Sequence, residues 1–230
     1  MTTFCSAFRR ASLAAVFIWI AAEAAPPERI KLSYEVSYGS MQGDVVETLQ
    51  HDGRTYSIVS ETRGRGLLAA FGNKRTVRGR ISPQGLLPDE YRDERPFGWV
   101  ASAKFDWQAH SVTQERKGKS ETLQMQGTAQ DPLSLAYSFA FVPPTGKEYD
   151  VVRADGRGLT PFRFAIVGNE KLATPMGEMQ TLHIMKVRDG PGDKTTDIWF
   201  SVERNFLPVR VLVVDKDGSR VDQVVTRIDK

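Results

Sequence analysis

Three histidines, two pairs of adjacent carboxylates and a serine beside an aspartate are the side chains in this sequence that could carry chemistry. His51, His110 and His183 lie far apart, and none stands in an HExxH or HxH arrangement. Zinc needs several such ligands converging on one point. His51 is therefore read as a turn residue, His110 as lying beside a turn, and His183 as a partly buried sheet residue. Asp89/Glu90 and Asp93/Glu94 are the residue types used for glycoside hydrolysis. They lie in a strand beside Arg92 and Arg95, so a solvated, salt-paired face is expected instead. Ser134 follows Asp131 closely, but no GxSxG elbow accompanies it, and the pair reads as helix capping rather than nucleophile and base. Gly64-Arg65-Gly66 and Gly156-Arg157-Gly158 match neither the Walker A nor the dinucleotide pattern. They read as turns, with an anion contact by Arg65 or Arg157 as the alternative. The one cysteine, Cys5, leaves the rest of the chain without a disulfide, a thiolate nucleophile or a cysteine-bound metal. No catalytic residue, metal or cofactor is assigned.

What remains is aromatic. Trp99, Phe105 and Trp107 alternate with polar residues on one strand face. Phe162 and Phe164 do the same, and Tyr137, Phe139 and Trp199 add to the set. Such residues either fill a core or line an apolar cavity of the kind that sheets enclose. The candidate cavity-lining residues are Trp99, Phe105, Trp107, Tyr137, Phe139 and Trp199.

The elements that must position them are mostly strands. Ile30, Leu32, Tyr34, Val36 and Tyr38 alternate with Lys31, Ser33, Glu35 and Ser37, giving one buried and one wet face. Val45 to Gln50 returns, and Asp52-Gly53 carries a hairpin signal. Ser111 to Arg116 and Glu121 to Gln126 flank a Lys117-Gly118-Lys119 turn. Glu170 to Ala173 and Met179 to Val187 flank Pro175-Met176-Gly177, and Leu207 to Val214 is apolar enough for a central strand. Gly64 to Gly72 reads as a one-turn helix or an irregular crossing. Gln130 to Pro144 is the exception. Asp131 can cap, Pro132 suits the first helical position, Leu133, Ala136, Tyr137 and Ala140 recur at helical spacing, and Pro143 stops the run. With about twelve to fourteen short strands joined by turn signals and no βαβ spacing, the expected class is mainly β. The expected architecture is a strongly curved antiparallel meander, a half-open or closed barrel-like sheet, with one short helix packed on or capping it.

Residues 1–24 read as a cleaved signal peptide. Arg9 and Arg10 precede an apolar run from Ala11 to Ala22, and Ala22-Glu23-Ala24 gives an A-x-A cleavage pattern. The run is well short of the roughly 20 residues that span a bilayer. Residues 25–230 then form a single exported domain, periplasmic in a Gram-negative host, with no stable membrane span after cleavage. The net charge of +3 arises from 31 basic and 28 acidic residues that are well mixed, so no nucleic-acid partner is expected.

Over Ile30 to Ile228 the chain resembles the DUF3108 family of uncharacterised exported bacterial proteins. The likeness is carried by Tyr34-Glu35-Val36-Ser37-Tyr38-Gly39, Ser82-Pro83-Gln84-Gly85-Leu86-Leu87-Pro88-Asp89-Glu90-Tyr91 and Phe105-Asp106-Trp107. It continues in Gln130-Asp131-Pro132-Leu133-Ser134, Thr174-Pro175-Met176-Gly177-Glu178, Ile198-Trp199-Phe200 and Leu207-Pro208-Val209. The resemblance supplies no activity or catalytic residue. It implies an architecture similar to the half-open barrels of periplasmic lipoprotein and lipid carriers, whose helix closes the concave side. That would place Tyr137 and Phe139 near a cavity. The expected function is a monomeric, non-enzymatic envelope protein binding a lipid or other apolar ligand. The alternative is a structural or protein-interaction module with a solid core and an envelope protein as its partner.

Overall fold

Alternating burial organises the strands in the computed structural model, which describes residues 26–66, 72–188, 190 and 192–230. The first half runs β1 (Arg29–Tyr38), β2 (Met41–His51), β3 (Thr55–Gly64), β4 (Gly72–Ser82), β5 (Gly85–Arg95), β6 (Trp99–Asp106), β7 (Ser111–Arg116) and β8 (Lys119–Gln124). After β9 (Ala129–Gln130) and α1 (Pro132–Tyr137) come β10 (Glu148–Ala154), β11 (Leu159–Thr174), β12 (Gly177–Lys186), β13 (Thr195–Ser201), β14 (Leu207–Val214) and β15 (Arg220–Asp229). In β1, Ile30, Leu32 and Tyr34 are buried while Arg29 and Lys31 are exposed, as a period of two requires. The expected leader, and the middle of the Gly64–Gly72 crossing, lie outside the described residues.

The expected strongly curved, half-open or closed barrel-like meander is corrected by the ladder. The 15 strands form one linear order, β8-β7-β6-β5-β4-β3-β2-β1-β15-β14-β13-β12-β11-β10-β9. β8 and β9 end this order at opposite edges and no ladder joins them, so the sheet is open. One reason lies in the edges themselves. β8 is a polar strand exposed along most of its length, and β9 contributes only two residues. The sheet is also not wholly antiparallel. β9 pairs with β10 in parallel, through Val152 with Ala129 and Arg153 with Gln130, and α1 lies in the crossover between them. A parallel neighbour needs such a crossover, so one small β-α-β unit exists where none was expected from spacing.

Two further boundaries differ from the sequence reading. Phe162 to Ile166 and Glu170 to Ala173 are one 16-residue strand, β11, rather than two. Its register shifts between Ile166 and Gly168, and Gly168 has a φ of 143°. The irregularity looks like a strand break in sequence but is absorbed within one ladder. The helix stops at Tyr137 and passes into a 3-10 turn over Ser138–Ala140, well before Pro143.

At its start the helix behaves as read from sequence. Asp131 is the cap, extended at φ −82° and ψ 164°, and accepts from the amides of Leu133 and Ser134 at 2.8 and 3.1 Å. Leu133, Ser134 and Tyr137 form its buried side. The helix touches β3, β4 and β5, and also β14. Tyr56 reaches it from β3, with its hydroxyl 2.6 Å from Ser134 Oγ. Gly79 makes room for that ring: a Cβ there would stand 2.8 Å from Tyr56 Cε1 and 2.2 Å from Leu87 O.

Buried apolar side chains fall into two clusters. One includes Ile30, Leu32, Tyr34, Leu49, Ile58, Tyr91, Leu133 and Tyr137. The other is Val151, Phe162, Phe164, Ile184, Ile198 and Phe200, with Leu135, Phe139 and Val211 packed against it. Each fully buried large side chain stabilises the fold by roughly 1.5–3 kcal/mol through removal of apolar surface from water. α1 contributes to both clusters, and the candidate site lies between them.

Candidate functional site

A cavity of about 540 Å³ occupies the seam between the two clusters. Its apolar wall is made by Leu135 and Ala136 of α1, Phe162 and Phe164 of β11, Ile198 of β13, and Val211 and Val213 of β14. Pro132 and Leu133 at the start of α1 line it as well. The opposite part is charged. Glu47, Arg75, Asp93, Arg95, Arg153, Asp155 and Arg157 all line it.

These charges come from distant segments. Arg75 on β4 stands opposite Asp93 on β5 in the ladder register. Asp93 is only 1% exposed and is held by Arg95 at 2.9 Å, Asn73 at 3.3 Å and Arg157 at 3.7 Å. Arg157 also lies 3.7 Å from Asp155, which lies 3.5 Å from Arg153. The turn after β10 delivers Asp155 and Arg157, and Gly156 allows it to sit there. Gly156 has a φ of 81°, and a Cβ on it would meet Ser102 N at 2.7 Å and Ala101 Cβ at 2.8 Å. Gly158 N then donates to Gln114 Oε1 at 2.9 Å. These contacts, with Gln130 Nε2 donating to Leu86 O at 2.7 Å, join the two limbs of the open sheet outside the ladder.

Glu47 closes the floor and is almost fully buried. Tyr137 Oη donates to its Oε2 at 2.8 Å and Ser60 Oγ to its Oε1 at 3.0 Å, while Arg75 lies 3.8 Å away. Burial and the nearby Glu47 charge push the Tyr34 and Tyr137 hydroxyls well above the usual phenol range. Both therefore stay neutral donors, and Tyr34 Oη donates to Pro208 O at 2.9 Å. Burial also raises Tyr91, beside the charged group. Asp131, fully buried at the helix start, is raised to about 6 by desolvation, which its amide partners only partly offset.

Among the described residues lining it, the cavity holds no nucleophile–base pair of the serine-hydrolase kind. Among the described residues, no group of three or more histidine, cysteine, aspartate or glutamate side chains is placed to hold a metal ion. What the arrangement can do is surround a molecule with one apolar and one charged end.

The chain matches the family described as "Protein of unknown function (DUF3108)" over residues 17–225. It belongs to the DUF3108 family. No curated protein matches the chain. Among solved structures, it is similar to a beta-barrel-like protein of the domain of unknown function DUF1849 from Brucella abortus. That pair shares 13% identity with a TM-score of 0.57, covering 90% of this chain and 99% of the other. A likeness at that identity shows the fold alone. Weaker similarity extends to MucB, at 8% identity and a TM-score of 0.32, covering 90% of this chain and 55% of that one. A porin-like protein from Bacteroides uniformis shows 7% identity and a TM-score of 0.35, covering 87% and 97%. No helix among the described residues is long and apolar enough to cross a membrane.

None of the six aromatic candidates is among the residues lining this cavity. Trp99 is half-buried under Arg95, whose guanidinium carbon is 4.4 Å from the ring centroid, with Arg157 at 5.6 Å. It thus braces the charged cluster from behind. Phe105 and Trp107 stack on each other at 5.9 Å, and Trp107 Nε1 donates to Pro88 O at 2.8 Å. Tyr137 points to Glu47. Phe139 packs between Tyr149 and Phe200, at 5.2 and 5.0 Å. Trp199 stacks on His183 at 4.3 Å, lies under Arg210 at 4.7 Å and donates to Glu170.

Asp89, Glu90 and Glu94 pair with Arg80, Arg78 and Arg92 as a salt-paired face, but Asp93 turns inward and belongs to the cavity. Arg65 pairs with Asp44 and Glu35 at the surface. Arg157, the other Gly-Arg-Gly arginine, is a cavity residue. The signal for the charged end was present in that tripeptide. Arg75, Arg153, Glu47 and Asp155 carry no local signature, because each sits on an ordinary strand or strand end.

Proposed function

We propose that this protein is an exported, non-enzymatic component of the cell envelope that holds a lipid or other apolar chain in the cavity between α1 and β11–β14. Residues 1–24 act as the removed leader, residues 25–230 form the working unit, and the product resides in the periplasm as a monomer. One observation carries the reading: a space of about 540 Å³ faced by Leu135, Ala136, Phe164, Ile198, Val211 and Val213. Concave, largely apolar spaces of roughly 300–1,000 Å³ are the usual form of a small-molecule site. The contact residues are these aliphatic and phenylalanine side chains. Of the six aromatic candidates, Tyr137 supports them by fixing the helix through Glu47, and Trp99 by bracing the arginines.

The test is native mass spectrometry of the protein purified from its own envelope. A bound mass lost on solvent extraction is expected, and Leu135→Trp, which fills the cavity, should abolish it. Absence of any adduct, together with failure to take up an alkyl probe, would sink the proposal. A second reading, a protein-interaction module, is favoured by apolar side chains left in water: Phe97 is 96% exposed, with Tyr38 and Met41 also exposed on the β1–β2 hairpin. It predicts that Phe97→Ser removes a partner while ligand uptake is unchanged.

A further inference from the structure

We infer that the arginine-lined end of the cavity is a subsite for an anionic headgroup, so that the ligand is a single-chain amphiphile ending in a carboxylate or phosphate. This deepens the proposed function and rests on it. Two guanidinium atoms at this end, Arg75 Nε and Arg153 Nε, are buried without any hydrogen-bond partner. A buried N–H left unmade on a charged group is costly and rare. Both residues line the cavity; each Nε is itself shut off from it, but the side chains keep 25% and 29% of their surface, so an acceptor in the cavity would meet the outer guanidinium nitrogens.

The pairing already present leaves capacity unspent. Arg153 meets Asp155 at 3.5 Å, and Arg157 meets Asp93 and Asp155 each at 3.7 Å. Those separations exceed the roughly 2.7–3.2 Å of a made N–H···O bond. Four arginines, Arg75, Arg95, Arg153 and Arg157, and Lys194 line the cavity with three carboxylates, Glu47, Asp93 and Asp155, a formal excess of two positive charges. Guanidinium forks suit carboxylate and phosphate oxygens in particular. Phe162, with Arg153 over its ring at 4.6 Å, marks where the charged end meets the apolar wall. An alkyl chain along Leu135, Phe164 and Val211 would therefore bring its head to Arg153.

Dodecyl phosphate, 1-dodecanol and inorganic phosphate, titrated separately into the purified protein by calorimetry, distinguish the sources. Dodecyl phosphate should bind at least about tenfold more tightly than dodecanol, with affinity falling as salt rises, and inorganic phosphate should not compete at millimolar concentration. Arg153→Met should lower dodecyl phosphate affinity to that of dodecanol and leave dodecanol binding unchanged. Arg157→Gln, at the more exposed edge of the cluster, provides the same comparison if Arg153→Met does not fold. Equal affinity for alcohol and phosphate, untouched by either variant, would overturn the headgroup subsite while leaving the apolar cavity intact. Inorganic phosphate binding as tightly as the alkyl ester would overturn the amphiphile in favour of a free-anion site. No binding of either alkyl compound would remove the proposed function and this inference with it.

Discussion

Ile198 and Trp199 are neighbours on β13, yet they face two differently built regions. Ile198 faces the cavity, beside Val211 and Val213. Trp199 faces the other side, where the register places His183, Trp199 and Arg210 across three adjacent strands. There the rings stack, Arg210 covers the indole, and Asp222 holds Arg210 through two bonds at 2.9 and 2.8 Å. Large flat side chains with polar tips close space, because each finds both a stacking partner and a hydrogen bond. Short branched chains leave space where they face one another. The apolar wall of the open region is accordingly made by valine, leucine, isoleucine and alanine with Phe162 and Phe164, while Trp107 and Trp199 mark places that are filled.

Trp199→Ala is the strongest way to break the comparison. It should destabilise the fold by about 3–5 kcal/mol, as expected for deleting a packed indole, measured by urea denaturation. A loss below about 1 kcal/mol would show that the stacked region is not the rigid one.

Asp131 gives the next effect, through pH. Its carboxyl titrates near 6 in the folded chain, above its ordinary value of 3.8. The folded state therefore holds this proton more tightly than the unfolded one. Its contribution favours folding most below about pH 4, declines as pH rises towards 6, and is level above that, a swing of at most about 3 kcal/mol. Asp131→Asn, which can still cap, should lack that slope, so that the difference between variant and wild-type stability changes with pH between about 4 and 6 and is level above. An unchanged slope would place the titration elsewhere.

Tyr137→Phe removes the donor to Glu47 Oε2 and leaves a buried carboxylate oxygen short of a partner, with an expected cost of about 1–3 kcal/mol. Alkyl-probe uptake should weaken as α1 loosens, whereas Trp107→Phe, remote from the cavity, should leave uptake unchanged. Val213→Leu has the smallest expected effect on stability, under about 1 kcal/mol, since the added methylene enters open volume. It should still reduce probe uptake measurably by fluorescence displacement. A cost as large as that of overpacking a filled core would show that the cavity wall is already closed.

Much of the local structure was legible because its causes are local. Ile30, Leu32 and Tyr34 bury one face of β1 by alternation, Asp131 and Pro132 open α1, and Lys117-Gly118 turns β7 into β8 with positive φ at both residues. The family was legible too, from motifs spread along the chain. The helix end and the length of β11 were not, because Pro143 and Gly168 signal breaks that packing moved or absorbed.

The sequence by itself determined the strands, their mostly antiparallel neighbours, the helix cap and the family, since each depends on residues close together in the chain. Tertiary structure alone decided that the sheet stays open, that β9 joins in parallel, and that Asp93 turns inward while Glu90 and Glu94 stay in solvent. It alone brought Arg75, Arg153 and Arg157 to one end of a cavity and left two of their N–H groups without acceptors. Closure, volume and charge balance depend on which distant segments meet, and alternation along a strand fixes only the face a side chain takes, not what stands across from it.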